Sequence, residues 1–132
     1  MRRLSLLVLS LTAACGGGPL EGSWSGTADC GAEGSYPVEL PLKAGDEGDQ
    51  GVGVVDELTY FSQPATYSFA AVAVVEDDDA VDLSLSDCQF EAQGEAWAAD
   101  CGDPGVLDWD GEDRLEGSLP IATFECALLL ER

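Results

Sequence analysis

From residue 22 onward the chain alternates polar and apolar side chains with a period of two, and no stretch repeats convincingly with the helical period. Ser23, Ser25, Thr27 and Asp29 alternate with Trp24, Gly26, Ala28 and Cys30. Tyr36, Val38, Leu40 and Leu42 alternate with Pro37, Glu39, Pro41 and Lys43, and the two prolines suit an edge or irregular strand. The same pattern predicts strands around 51–58, 66–75, 81–86, 88–98, 106–110, 114–119 and 122–131. Acidic turn-formers separate them at 45–49, at 76–79 and at 102–105. Short strands at even spacing imply an all-β antiparallel meander of eight or nine strands, closed as a barrel or folded as a sandwich. There is no internal repeat, so 21–132 reads as one β domain.

The first residues have a different grammar. Arg2 and Arg3 precede an apolar run from Leu4 to Leu11, and the small residues Thr12, Ala13 and Ala14 lead to Cys15. Such a run is too short to cross about 30 Å of hydrocarbon as a helix. Its charged–apolar–small order is that of a cleaved secretion signal over 1–14, by the Sec route. Leu11-Thr12-Ala13-Ala14-Cys15 resembles the lipobox of bacterial lipoproteins, with Thr12 where that family most often has Leu. The resemblance implies a diacylglyceryl thioether and an N-acyl chain on Cys15, and two or more chains hold a protein stably on a membrane. Residues 15–20 would then be the lipidated N-terminus and a tether through Gly16-Gly17-Gly18-Pro19. By resemblance to Gram-negative lipoproteins, Gly16 after the cysteine implies an exported protein anchored in the cell envelope, at the outer membrane.

Charge narrows the function classes. Without Arg2 and Arg3, three basic residues (Lys43, Arg114 and Arg132) face 26 acidic ones, a balance of −23. Such a surface repels phosphate backbones, which excludes nucleic acid as a partner. It also repels anionic headgroups, so membrane contact is expected only through the lipid on Cys15. The acidity serves solubility, or suits a saline habitat. Histidine is absent, which excludes a Ser-His-Asp triad and a histidine zinc site, and asparagine is absent too. A carboxylate pair remains formally open, but 26 scattered acids make a chance pair certain. The expectation is a protein that is not an enzyme and needs no cofactor.

Four cysteines follow Cys15, an even number that in an exported chain implies disulfides. Gly94-Glu95 suits a two-residue type II′ hairpin turn, which would set Phe90 opposite Ala99 and Cys88 opposite Cys101. Opposed residues of this kind lie about 4.5 Å apart, close enough for a bridge. Cys30 and Cys126 remain, on the first and last strands, and they would be neighbours in a closed barrel. A thiolate metal site is disfavoured, since no C-x-x-C spacing occurs. Asp108-Trp109-Asp110-Gly111-Glu112-Asp113 fails the EF-hand spacing and reads as a hairpin with a three-residue loop, with Leu107 opposite Leu115 and Asp108 opposite Arg114. No metal ligands are assigned, although weak calcium binding by the acidic loops stays open. All 26 acids are expected in turns or on the polar side of strands.

Gly22-Ser23-Trp24 at the start of the first strand resembles the G-x-W signature of lipocalins and avidin-like barrels. That resemblance implies a closed up-and-down barrel in preference to a sandwich, with the Trp closing one end. It also implies a carrier of a small apolar ligand, for which Trp24, Tyr36, Tyr67, Phe69, Phe90, Trp97 and Trp109 are the candidate lining. Three readings result. The first is a non-catalytic envelope lipoprotein, structural or an interaction module for another envelope protein. The second is the lipocalin-like carrier, and the third a calcium-dependent surface-binding protein. A filled interior favours the first and a hollow one the second.

Overall fold

The computed structural model describes residues 18–132. The signal segment, Cys15 and the first two tether glycines lie outside the described residues. Nine strands follow in chain order: β1 (Gly22–Asp29), β2 (Ser35–Ala44), β3 (Asp49–Tyr60), β4 (Gln63–Asp77), β5 (Ala80–Ala92), β6 (Glu95–Ala98), β7 (Gly105–Trp109), β8 (Arg114–Ile121) and β9 (Phe124–Glu131). Every pairing is antiparallel. The order is β4-β3-β2-β1-β9-β8-β7-β5, and β5 pairs back onto β4, so eight strands close into a barrel. Strand β6 is the extra one. It pairs with Gln89–Ala92 of β5, while β7 takes the same edge lower down, at Ala80–Leu83.

The alternation read from the sequence maps onto inside and outside. Trp24, Ala28, Val38, Leu40, Leu42, Val55, Ala65, Tyr67, Phe69, Ala71 and Ala73 point inward and are buried, followed by Val81, Leu83, Leu107, Leu115, Leu119, Leu128 and Leu130. An eight-stranded barrel is just wide enough for side chains to fill it. Three register shifts interrupt the ladders, one of them in β4 between Val75 and Asp77, and the other two carry a residue at positive φ. Of those two bulges, one lies in β3 between Val55 and Leu58, where Glu57 has a positive φ, and the other in β5, where Asp87 does. The break expected in the sequence at residue 87 is therefore a bulge within one long strand. Gly53 faces Phe69 across the β3–β4 ladder, and a Cβ there would lie 2.3 Å from the ring, so only glycine lets the ring lie flat on the wall.

The β1–β9 ladder pairs Ser25 with Glu131 through Asp29 with Ala127, and the next pair in that register is Cys30 with Cys126. Those two cysteines form a disulfide, with Cα atoms 4.1 Å apart, across the seam where first and last strands meet. Cys88 and Cys101 form the other. The hairpin register inferred for that second bridge needs correction. The turn is Gln93-Gly94, both residues at positive φ in the type I′ pattern, and not Gly94-Glu95. Phe90 therefore faces Trp97, and Cys88 lies opposite Ala99, whose amide donates to the Cys88 carbonyl at 2.9 Å. Cys101 reaches Cys88 from just beyond the strand, with a Cα separation of 5.4 Å. Because the register moves by an even number of residues, the inward and outward faces are unchanged.

The β7–β8 loop is also longer than inferred. Trp109 faces Leu115, and Asp108 faces Glu116 and not Arg114. The loop is built on the Asp110 carboxylate, which accepts amides from Glu112 (2.8 Å) and Arg114 (3.1 Å). Those amide bonds, that of Glu112 foremost, hold the Asp110 carboxyl below the usual carboxylate range.

On the chain-entropy account a bridge stabilises in proportion to the logarithm of the loop it closes. Cys30–Cys126 spans 96 residues and Cys88–Cys101 spans 13. Replacing Cys30 and Cys126 together by Ala should therefore cost about 4.7 kcal/mol, against about 3 kcal/mol for the other pair, by urea unfolding. Equal losses would show that the barrel seam does not depend on the longer loop. Gly53→Ala should destabilise by about 1–3 kcal/mol, since its methyl must displace Phe69, and circular-dichroism melting measures it.

Candidate functional site

The two ends of the barrel differ in chemistry. At one end the chain enters. Leu20 is fully buried there as a plug, its amide donates to the Asp49 carboxylate at 3.0 Å, and its carbonyl accepts the Trp24 indole N–H at 2.7 Å. Asp49 is thus buried, against the expectation that every acid sits in a turn or on a polar face, because the plug's amide needs an acceptor. Arg132 covers the plug from outside. Its guanidinium lies 4.6 Å from the Trp24 ring centroid, pairs with Asp113 at 3.1 Å, and donates to the carbonyls of Pro19 and Glu21 at 3.0 Å and of Glu112. The acidic loops at 45–48, 78–79 and 110–113 surround this end.

The opposite end is an open mouth, formed by the Gly31–Glu33 turn, the β3–β4 and β8–β9 turns, and the β5–β6 hairpin. A cleft of about 160 Å³ opens there, lined by Tyr36, Leu58, Tyr60, Ala65, Phe90, Ile121 and Phe124, with Cys30 and Thr59 between them and Glu33 at its lip. Glu33 is its one charged lining residue. Tyr36 is fixed by its hydroxyl, which donates to the Glu33 carbonyl at 2.5 Å. Behind the cleft an aromatic stack runs from the core to the surface. Tyr67 lies 5.0 Å from Phe90, Phe90 is 5.8 Å from Tyr60 and 6.3 Å from Trp97, and Tyr60 is 5.1 Å from Trp97 and 4.4 Å from Phe61 (ring centroids). A Gln93–Gln63 side-chain hydrogen bond of 2.5 Å joins the tips of the two hairpins that carry these rings.

The stack ends in solvent. Phe61 is 82% exposed at the β3–β4 tip, and Phe124 and Tyr60 are 43% and 38% exposed. Phe61 and Ser62 both have positive φ, at 50° and 64°. A two-residue turn of that shape favours Asn and Gly, and a bulky aromatic there is strained.

The seven aromatics proposed from the sequence do not share one lining. Tyr36 and Phe90 line the cleft, Tyr67 lies just beneath it, and Trp97 stacks on Phe90 from β6, outside the barrel. Phe69 is packed in the core over Gly53. Trp24 closes the other end, and Trp109 sits near it, donating to the Glu112 carbonyl at 3.3 Å. The inner layers are filled by Trp24, Tyr67, Phe69 and the leucines of β2, β7, β8 and β9, and the cleft opens above them at the mouth. Tyr60, Phe61 and Phe124 were not singled out in the sequence. Their signal was an aromatic directly flanking a turn, where a polar residue is usual. Among the described residues, no group of three or more Cys, Asp or Glu is arranged to hold a metal ion. No family model, curated protein or solved structure matches the chain.

One polar atom stands out within the stack. The Tyr67 hydroxyl is fully buried and has no hydrogen-bond partner among the described residues, and burial pushes its pKa up. Removing an unsatisfied buried group removes a desolvation cost, so Tyr67→Phe should raise stability by roughly 1 kcal/mol in urea unfolding. A loss of that size would show that the hydroxyl has a partner. The raised pKa also sets a sign. The unfolded phenol ionises near 10.0 while the folded one stays protonated, so this group leaves stability independent of pH below that value and lowers it progressively as the pH rises above it. Tyr67→Phe should flatten the alkaline limb of the stability profile.

Proposed function

We propose that this protein is an exported, lipid-anchored envelope protein whose barrel is a non-catalytic interaction module. The observation that carries the reading is directional. The chain enters at the plugged end, through Gly18, Pro19 and Leu20, and the apolar mouth lies at the other end. A barrel held through Cys15 therefore presents its mouth away from the membrane, toward partners. The position of Trp24 at the plugged end, beneath Arg132, agrees with the end-closing Trp that the G-x-W resemblance implies, a point that belongs to the carrier reading below. Two disulfides favour an oxidising compartment. Catalysis is not expected of a chain that lacks histidine, has one lysine and keeps its one fully buried carboxylate in a structural contact with Leu20.

A lipocalin-like carrier is the second reading, favoured by the cleft itself. At about 160 Å³ that space is small beside the roughly 300–1,000 Å³ of ordinary ligand pockets, which favours docking over carriage.

Membrane fractionation tests the anchor. The wild-type protein should sediment with membranes and show an acylated Cys15 by mass spectrometry, and Cys15→Ser should release it into the soluble fraction. A wild-type protein found soluble, beginning at another residue, overturns the anchored reading. With the anchor intact, a protease-cleavable tag in the β3–β4 turn should be cut more readily than one in the 45–48 loop.

A further inference from the structure

We propose that the mouth is a docking site for a basic segment of another protein, which seats one apolar side chain in the cleft and sets its lysines or arginines against the rim. The inference deepens the interaction-module reading by naming the partner's chemistry. Three observations carry it.

The first is size. About 160 Å³ of apolar space is room for a single large side chain, and the filled layers below Phe90 leave no path deeper. A side chain delivered by a polypeptide fits that geometry, and its flanking residues would lie across the rim. The second is charge. The exposed charged groups around the mouth are acids: Asp29 and Glu33 beside the first turn, Asp56 and Glu57 at the β3 bulge, Glu91 and Glu95 on the β5–β6 hairpin, and Glu125 beside Phe124. Lys43, Arg114 and Arg132 all lie toward the plugged end. An acidic rim around an apolar centre selects a basic, amphipathic partner and repels another copy of this chain.

The third is Phe61. Its ring is mostly in solvent and its backbone is in a conformation that disfavours bulky side chains, so the residue costs stability twice at a position where Asn or Gly would cost little. An aromatic at the centre of an interface typically dominates binding, and Phe61 stands beside Tyr60, which stacks on Phe90. The strained, exposed ring is what a partner would cover.

The experiment uses the purified protein, in detergent when acylated, and synthetic heptapeptides with lysines flanking a central leucine, phenylalanine or glycine. Amide shifts in NMR report where each binds, and titration reports affinity. The leucine or phenylalanine peptide should saturate, shift Glu33, Tyr60, Phe61 and Phe124, and bind at least tenfold tighter than the glycine peptide. Its affinity should fall as salt rises. Phe61→Asn separates binding from folding: it should raise the melting temperature by relieving the turn, yet weaken the peptide at least tenfold. Val52→Ala, on an exposed wall position remote from the mouth, should leave binding unchanged.

Equal binding of all three peptides would reduce the effect to charge and overturn the proposal. So would tighter binding of an alkylammonium ion than of any peptide, which marks a small-molecule carrier, or a Phe61→Asn protein that binds as well as wild type. The anchored reading is judged separately by fractionation, so a peptide-binding protein found soluble keeps the docking site and loses only its orientation.

Discussion

The pairing of the first strand with the last holds the architecture together. Ser25–Asp29 against Ala127–Glu131 is what converts a meander with two raw edges into a closed surface, and the Cys30–Cys126 bridge continues that ladder by one more pair. An unclosed sheet of this composition would expose rows of unpaired amides and carbonyls and invite association. Closure removes them from the eight barrel strands and leaves, among the described residues, a single short edge, that of β6. It also makes the period-two alternation meaningful, because inside and outside exist only once the sheet has returned on itself.

Closure then creates two ends, and the chain treats them differently. One end is sealed by contacts distant in sequence: Leu20 as plug, Asp49 as its acceptor, Trp24 beneath and Arg132 across the outside. Arg132 is the more effective for serving several acceptors at once, with a planar guanidinium that can stack on an indole while bonding carbonyls at its edge. The other end is left open, with hairpin tips carrying aromatics where turns usually carry polar residues. With the middle of the barrel packed solid, the apolar cleft lies at this rim.

The acidity, which dominates the composition, has little to do with the fold. Among the described carboxylates Asp49 is the buried one, and Asp110 organises a turn through backbone amides. Most others line the outer wall, where like charges keep the barrel soluble and bias what can approach it.

Alternation and turn spacing in the sequence were enough for an all-β antiparallel meander, for most of its strands to within a few residues, and for the two pairs of cysteines that bridge, while the strands read at 81–86 and 88–98 fold as Ala80–Ala92 and Glu95–Ala98. These are local or parity properties, and they survive a wrong register as long as the error is even, as it was in the β5–β6 hairpin. The register itself was legible only in the tertiary structure, since Gln93-Gly94 and Gly94-Glu95 are both acceptable turns in isolation, and the one adopted sets Phe90 opposite Trp97, beside Tyr60. The burial of Asp49 was equally invisible, because its partner lies 29 residues away in the tether. The aromatics were legible as a set but not as a site. Which of them fill the core, which seal an end and which reach the mouth depends on the height of each residue along the barrel, and that height is fixed only when eight strands share one closed ladder.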